Sequence, residues 1–258
     1  MTPTSPGQDP GTPGPAQEPA PAGLIWTRPL KEKRERPTRE AIVAAATGLA
    51  DTHGLDAVSI RRVAAALSTR PMDLYRYFAR KDELIDLMAD EAVAGAVLGE
   101  IPRHWRDALA AIARAMRAVC LAHPWMVTAA GQQALIGPNV MRHVEQSLEA
   151  TAALGIDWTK RLAIWRAVDT YVMGHAHLSL ARDHSEGNTA SDPGWRAAAD
   201  AYLQGLAGSG SFPNLAAFGA AGLLHNEYDE LTFETGLNWL LAGIAADCEA
   251  IAPRSSPL

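Results

Sequence analysis

Only two cysteines, Cys120 and Cys248, occur in 258 residues. They lie far apart and outside any metal-type spacing, which argues against a disulfide framework or a zinc site. No apolar run approaches the ~18 residues of a membrane-spanning helix. The first residues also lack the apolar core of a secretory leader, so the expectation is a cytoplasmic protein with no membrane partner. Catalytic signatures are missing as well: there is no Gly-x-Ser-x-Gly elbow, no His-Glu-x-x-His and no dinucleotide fingerprint. The glycine-rich stretch from Gly208 to Pro213 is not followed by Gly-Lys-Ser/Thr, so it reads as a flexible connection and not a phosphate cradle. His175 and His177 sit two apart, and on a helix such side chains point about 200° from each other, so they cannot chelate one ion together. The acidic run Asp82, Glu83, Asp86, Asp90 and Glu91 reads as a solvated helix face. No catalytic residues, metal or cofactor are expected.

What is present is helical periodicity, and one stretch of it is distinctive. Ile60, Val63, Ala64 and Leu67 recur at i, i+3, i+4 and i+7, which gives a helix with one buried face. Ser59 suits its N-cap, and Pro71 fits the first turn of a second helix after the turn Ser68-Thr69-Arg70. Leu74 and Phe78 would anchor that second helix over 71–78. This leaves Arg70, Met72, Asp73, Tyr75 and Tyr77 pointing outward. Such a pair can present its second helix to a DNA major groove. Upstream, Thr38 caps a helix carrying Ile42, Ala46, Leu49 and His53 at helical spacing, with Glu40 in its first turn and Gly54 at its end. Downstream, Lys81-Asp82-Glu83-Leu84 opens a connecting helix.

These residues resemble the tetracycline-repressor (TetR) family of bacterial transcription regulators. The resemblance is carried by Ala41 to Gly54, Val58 to Ala64, Leu74-Tyr75-Arg76-Tyr77-Phe78 and Lys81-Asp82-Glu83-Leu84. It is strong over roughly 36–90 and fainter through the body, where His104-Trp105-Arg106, Ala122-His123-Pro124 and Phe233-Glu234-x-Gly236-Leu237 look like the tetracycline-repressor type of C-terminal domain. It implies an all-α protein with a three-helix DNA-binding head and a helical ligand-binding and dimerisation body. The implied function is a ligand-responsive regulator, most simply a repressor, that binds a palindromic double-stranded DNA operator as a homodimer and is released by a small-molecule effector. Where the family usually carries Gly in the turn, Ser68 stands here, which Ser tolerates poorly if the position needs positive φ.

On this reading Arg61 and Arg70 are the candidates for base edges, because a guanidinium pairs bidentately with guanine for about 1–3 kcal/mol of discrimination. Met72 could meet a thymine methyl. Asp73 could accept from cytosine or orient Arg70 or Arg76. Tyr75, Tyr77 and Lys81 match phosphate-holding positions of the family, with Ser59 and Pro71 beside them. The metal-assisted tetracycline recognition of the founding member does not carry over.

Charge is unevenly spread. Residues 28–81 carry twelve Lys and Arg against six Asp and Glu, a net +6, while 82–258 carry eleven against twenty-one, a net −10. With −2 from the first 27 residues this gives the chain's −6. A cationic head on an anionic body confines attraction for DNA to one end. The alternative, a helical ligand-binding or scaffold dimer without DNA binding, rests on the Ser68 turn and the acidic total.

Residues 1–27 form a Pro/Gly-rich tail expected to be disordered, with Trp26 at its end; 28–81 form the basic arm and head; 82–258 form the body. The body reads as helices at 105–122, 124–135, 138–153, 158–182, 193–207 and 231–250, separated by His123-Pro124, Gly137-Pro138, Gly155-Ile156-Asp157 and the 208–213 stretch. Gln132, Asn139, Asp169 and His175 are polar residues in apolar settings, and Trp125, Met126, Trp165 and Met173 are natural walls. Together they are the candidate ligand-binding set. Trp158, Leu162 and Val172 on one helix, and Leu237, Leu240, Leu241 and Ile244 on another, read as core stripes by themselves. The resemblance implies instead that these two helices pack across a two-fold axis, with Gly174 and Gly243 permitting close approach.

Overall fold

The computed structural model describes residues 36–132, 134–185, 192–221 and 230–251. The tail, Trp26 and the basic cluster Lys31 to Arg34 lie outside them. The elements are α1 (Arg39–His53), α2 (Ile60–Ala66), α3 (Pro71–Leu74), α4 (Lys81–Ala94), α5 (Trp105–Ala122), α6 (Trp125–Gln132), α7 (Pro138–Ala150), α8 (Trp158–Ser185), α9 (Pro193–Gly208), α10 (Pro213–Ala220) and α11 (Glu230–Ile251). Two short 3-10 turns, Leu55–Ala57 and Ala152–Leu154, complete the list, and there is no strand among the described residues.

The head forms through its caps. Thr38 Oγ1 accepts from the Ala41 amide at 3.2 Å, and Ser59 Oγ from the Arg62 amide at 3.3 Å. Each satisfies one of the amides a helix start leaves unpaired. Gly54 ends α1 with φ +79°, where a side chain would be strained, and its amide closes on Ala50 O at 2.8 Å. His53, placed by spacing on the buried face, is exposed. Ser68 takes φ +51°, the one non-glycine in that region among the described residues. The turn nevertheless closes, Ser68 N–H donating to Ala65 O (3.0 Å) and Thr69 N–H to Ala64 O (2.9 Å). The helix expected over 71–78 is shorter: α3 stops at Leu74, and Tyr77 N–H bonds Leu74 O at 2.9 Å, three residues back, tightening the chain into a turn. Leu74 and Phe78 are buried as the spacing predicts.

One continuous apolar core runs from Ile42, Val63 and Leu74 in the head, through Leu84 and Met88 of α4, to Leu109, Ile112 and Val172 in the body. α4 is therefore packed into both parts. Glu83 Oε2 accepts from Ala79 N–H at 2.6 Å, fixing the start of α4. Asp90 near its end accepts from the Asn139 and Val140 amides at 2.8 and 3.1 Å, so a carboxylate of α4 caps α7. A Cβ at Gly137 would collide with that carboxylate. In the body α11 is clamped onto α5 and α8. Arg114 grips Glu234 bidentately (2.7 and 2.6 Å), Lys160 meets Asp247 (2.6 Å), and Tyr171 donates to Phe233 O (2.8 Å). A side chain at Gly236 would overlap the Tyr171 hydroxyl, so this glycine sets the close approach. α10 was not expected from sequence.

Candidate nucleic-acid interface and interior polar residues

The α2–α3 face presents a coherent set of side chains. Arg61 and Arg76 are exposed, Met72 is 75% exposed, and Tyr75 is open to solvent. Arg70 extends from the turn with its side chain 89% exposed; its Nε lies 3.6 Å from Asp73 Oδ2, which also accepts from Thr69 Oγ1 at 3.3 Å. Asp73 thus lies within ion-pair reach of Arg70. The contact is made through Nε. Pro71 is half-buried at the first position of α3.

Two expected phosphate contacts are otherwise engaged. The Tyr77 hydroxyl donates its single proton to Pro37 O at 2.7 Å, so it pins the segment entering α1 and has no proton left for a phosphate. Lys81 Nζ lies 3.4 Å from Leu55 O, holding the start of α4 to the 3-10 turn, with two further donors remaining. Ser59 Oγ accepts in its cap, and its proton stays available.

The structure separates the eight candidate ligand residues into different surroundings. Trp125 is buried, and its indole N–H donates to Asp51 Oδ1 of α1 at 2.7 Å. Asn139 bonds Asp90 through its amide and side chain, making it part of the α4–α7 joint. Met126 is core, and Gln132 is exposed at the end of α6. His175 faces α11, edge-on to Phe233 with centroids 5.1 Å apart, in an open apolar groove of about 570 Å³ lined by Tyr171, Leu178, Gly236 and Trp239. Trp165, Asp169 and Met173, four apart on α8, remain together. Met173 Sδ accepts from Cys120 Sγ of α5 at 3.5 Å. Burial raises the Asp169 carboxyl above the usual carboxylate range, with Arg166 pulling it back. Burial, then the Asp169 charge, pushes the Cys120 thiol up to about 12. The buried Trp165 Nε1 has no hydrogen-bond partner among the described residues. No three His, Cys, Asp or Glu among those residues are grouped to hold a metal.

The expected dimer stripes need correction. Val172, Leu237 and Leu241 are 1%, 1% and 0% exposed, because α11 lies on α8 with these side chains between them. They belong to the core of their own protomer. Trp158 (69% exposed) and Leu162 do face outward, and Leu240 and Ile244 are half-buried. Trp239, beside the apolar stripe of α11, is 75% exposed. His143 was missed: on α7, burial drives its pKa down to about 4.

A capped three-helix head with outward arginines and tyrosines, rooted in a helical body, defines a helix-turn-helix transcriptional regulator. Residues 42–88 match the model of the bacterial regulatory proteins, tetR family, and residues 98–248 that of the tetracyclin repressor-like C-terminal domain. The HTH-type transcriptional repressor DrrR1 of Streptomyces coeruleorubidus is 32% identical over 230 residues, covering 86% of this chain and 83% of that one. An HTH-type transcriptional regulator of Saccharopolyspora erythraea is 33% identical over 233 residues, covering 87% and 92%. The crystal structure of ActR from Streptomyces coelicolor in complex with actinorhodin aligns with a TM-score of 0.67 at 28% identity, over 82% of this chain and 98% of that one. The chain belongs to the tetR family of transcriptional regulators. No helix among the described residues is long and apolar enough to cross a membrane.

Proposed function

We propose that this regulator is a cytoplasmic repressor that binds a palindromic operator as a homodimer and is released by a small molecule held in the body. The observation that carries it is the exposed set Arg61, Arg70, Met72 and Tyr75 in and beside α2 and α3 of a well-packed head. Arg70 and Arg61 read base edges; Tyr75, Lys81, Ser59 and Arg76 hold the backbone; Asp73 aims Arg70. DrrR1 is named a repressor, and ActR has been crystallised with actinorhodin and with (S)-DNPA, which supports release by an organic effector here. Trp165 and Asp169 are its candidate polar anchors, with Met173 as wall. A buried indole N–H without an acceptor carries a desolvation cost of about 1–3 kcal/mol that a bound acceptor would relieve. Trp158, Leu162 and Trp239 are the candidate contacts to a second copy.

Gel shifts on DNA from the protein's own promoter region test the DNA half. Wild type should bind, and Tyr75→Ala/Lys81→Ala should bind markedly more weakly. Equal binding by both would sink the assignment.

A further inference from the structure

We infer that Asp51 is a positioning residue that ties the DNA-reading head to the body and so sets the angle at which each head is presented. Asp51 stands in the last turn of α1. Its Oδ1 accepts from Trp125 Nε1 at 2.7 Å and lies 2.9 Å from His123 Nδ1. His123 ends α5 and Trp125 begins α6, so one carboxylate of the head gathers both sides of a body corner 72 and 74 residues away. Hydrogen bonds to an ionised oxygen are roughly twice as strong as neutral ones, and both distances lie in that range.

The same corner also packs against the Leu55–Ala57 turn of the head. Beside it an open cleft of about 730 Å³ separates the outer faces of α1 and α4, with Asp51 and His123 on its wall. Asp51 therefore adds a hydrogen-bonded tie to the apolar contacts that α4 and α6 make with the head. Apolar packing alone is non-directional and leaves the head room to tilt; the hydrogen bonds at Asp51 restrict that freedom. Neither Asp51 nor Trp125 lies on the α2–α3 face, so neither touches a base. α6 is bonded at its start to Asp51 of α1, and the helix after it, α7, is capped by Asp90 of α4. A displacement of α6 from within the body would reach α1 through the Trp125–Asp51 bond.

Half-site spacing reads head pose directly. Inserting or deleting one base pair moves one half-site by about 3.4 Å and rotates it about a tenth of a turn. The full-length protein selects a duplex from a random pool, and binding is compared with the same duplex carrying one base pair more or fewer between half-sites. Wild type should bind the altered spacers about tenfold more weakly. Asp51→Ala and Trp125→Phe should bring that ratio to about threefold or less, while Asp51→Asn, which keeps an acceptor for the indole, should retain most of it. Loss of stability lowers binding to all three duplexes alike and leaves the ratio unmoved. A wild-type ratio in Asp51→Ala, whatever its melting temperature, overturns the inference. If that variant does not fold, an unchanged ratio in Trp125→Phe does so alone. If no duplex is selected, the operator reading falls separately, and hydrogen exchange of the Met126 amide, bonded to His123 O at 2.9 Å, decides the tie. Faster exchange in Trp125→Phe supports it, and an unchanged rate overturns it.

Discussion

The head and the body are built from the same apolar helix spacing and put it to opposite uses. In the head, small buried faces (Ile42, Val63, Leu74, Phe78) free the opposite faces to carry arginine, tyrosine and methionine into solvent. In the body, polar groups turn inward: Asp169, Trp165, His143 and His175 sit among apolar side chains. The difference shows where each part keeps its chemistry. The head's outward side chains stand clear of its core, whereas the body's polar groups are embedded in its packing.

The sharpest way to break this contrast is to truncate the α8–α11 core. Leu241→Ala should cost about 3 kcal/mol in chemical denaturation, because a fully buried leucine leaves a cavity. Trp239→Ala on the same helix should leave protomer stability within about 0.5 kcal/mol while weakening self-association measured by ultracentrifugation. Equal losses of stability would mean that the outward face of α11 is core too.

Next in size is the buried histidine. With a folded pKa near 4 against about 6.5 unfolded, His143 stays neutral in the native state while the unfolded chain takes up a proton. Its contribution is intact above about pH 6.5, is lost as pH falls toward 4, and levels off below, a loss of about 3 kcal/mol. Melting curves across that window should show it, and His143→Gln should flatten that part of the profile. An unchanged profile would place the acid sensitivity elsewhere.

Much of this was legible in the sequence, and the division follows range. Caps at Thr38, Ser59 and Gly54, the apolar spacing of α2 and the proline-marked start of α7 are local signals, and these helices formed where the spacing predicts, within a few residues. α10 was missed because Pro213-Asn-Leu-Ala-Ala-Phe-Gly-Ala has no polar face to make its period visible. The ties that organise the sites span 40 residues for Tyr77–Pro37, 49 for Asn139–Asp90 and 74 for Trp125–Asp51, and no spacing rule reaches that far. Trp125 and Asn139 accordingly read as ligand residues, since a buried polar group looks the same in sequence whether its partner is a ligand or another helix.

Within the head the effects should be chemical. Arg70→Ala should lose about 1–3 kcal/mol of discrimination at one operator position, measured by competition with single-base variants, with its melting temperature scarcely moved. Asp73→Ala should cost a fraction of that at the same position. Discrimination lost evenly over all positions would instead assign Arg70 to phosphate. Smaller still, Ser68→Gly should raise stability by about 0.5 kcal/mol, since it removes a left-handed serine at the cost of a more flexible unfolded chain. A loss on denaturation would show that the Ser68 side chain contributes more than its backbone strain.

The separation of head chemistry from body packing is tested most directly by the salt dependence of binding to the selected duplex, followed from 50 to 200 mM for wild type, Tyr75→Ala/Lys81→Ala and Asp169→Ala. Wild type should lose affinity by about 10³-fold over that range, as a dimer neutralising some six phosphates would. The head variant should show a visibly shallower slope, and Asp169→Ala should keep both the wild-type affinity and slope. A slope near zero for wild type, or an Asp169→Ala variant whose DNA binding falls in step with its stability, would contradict the account.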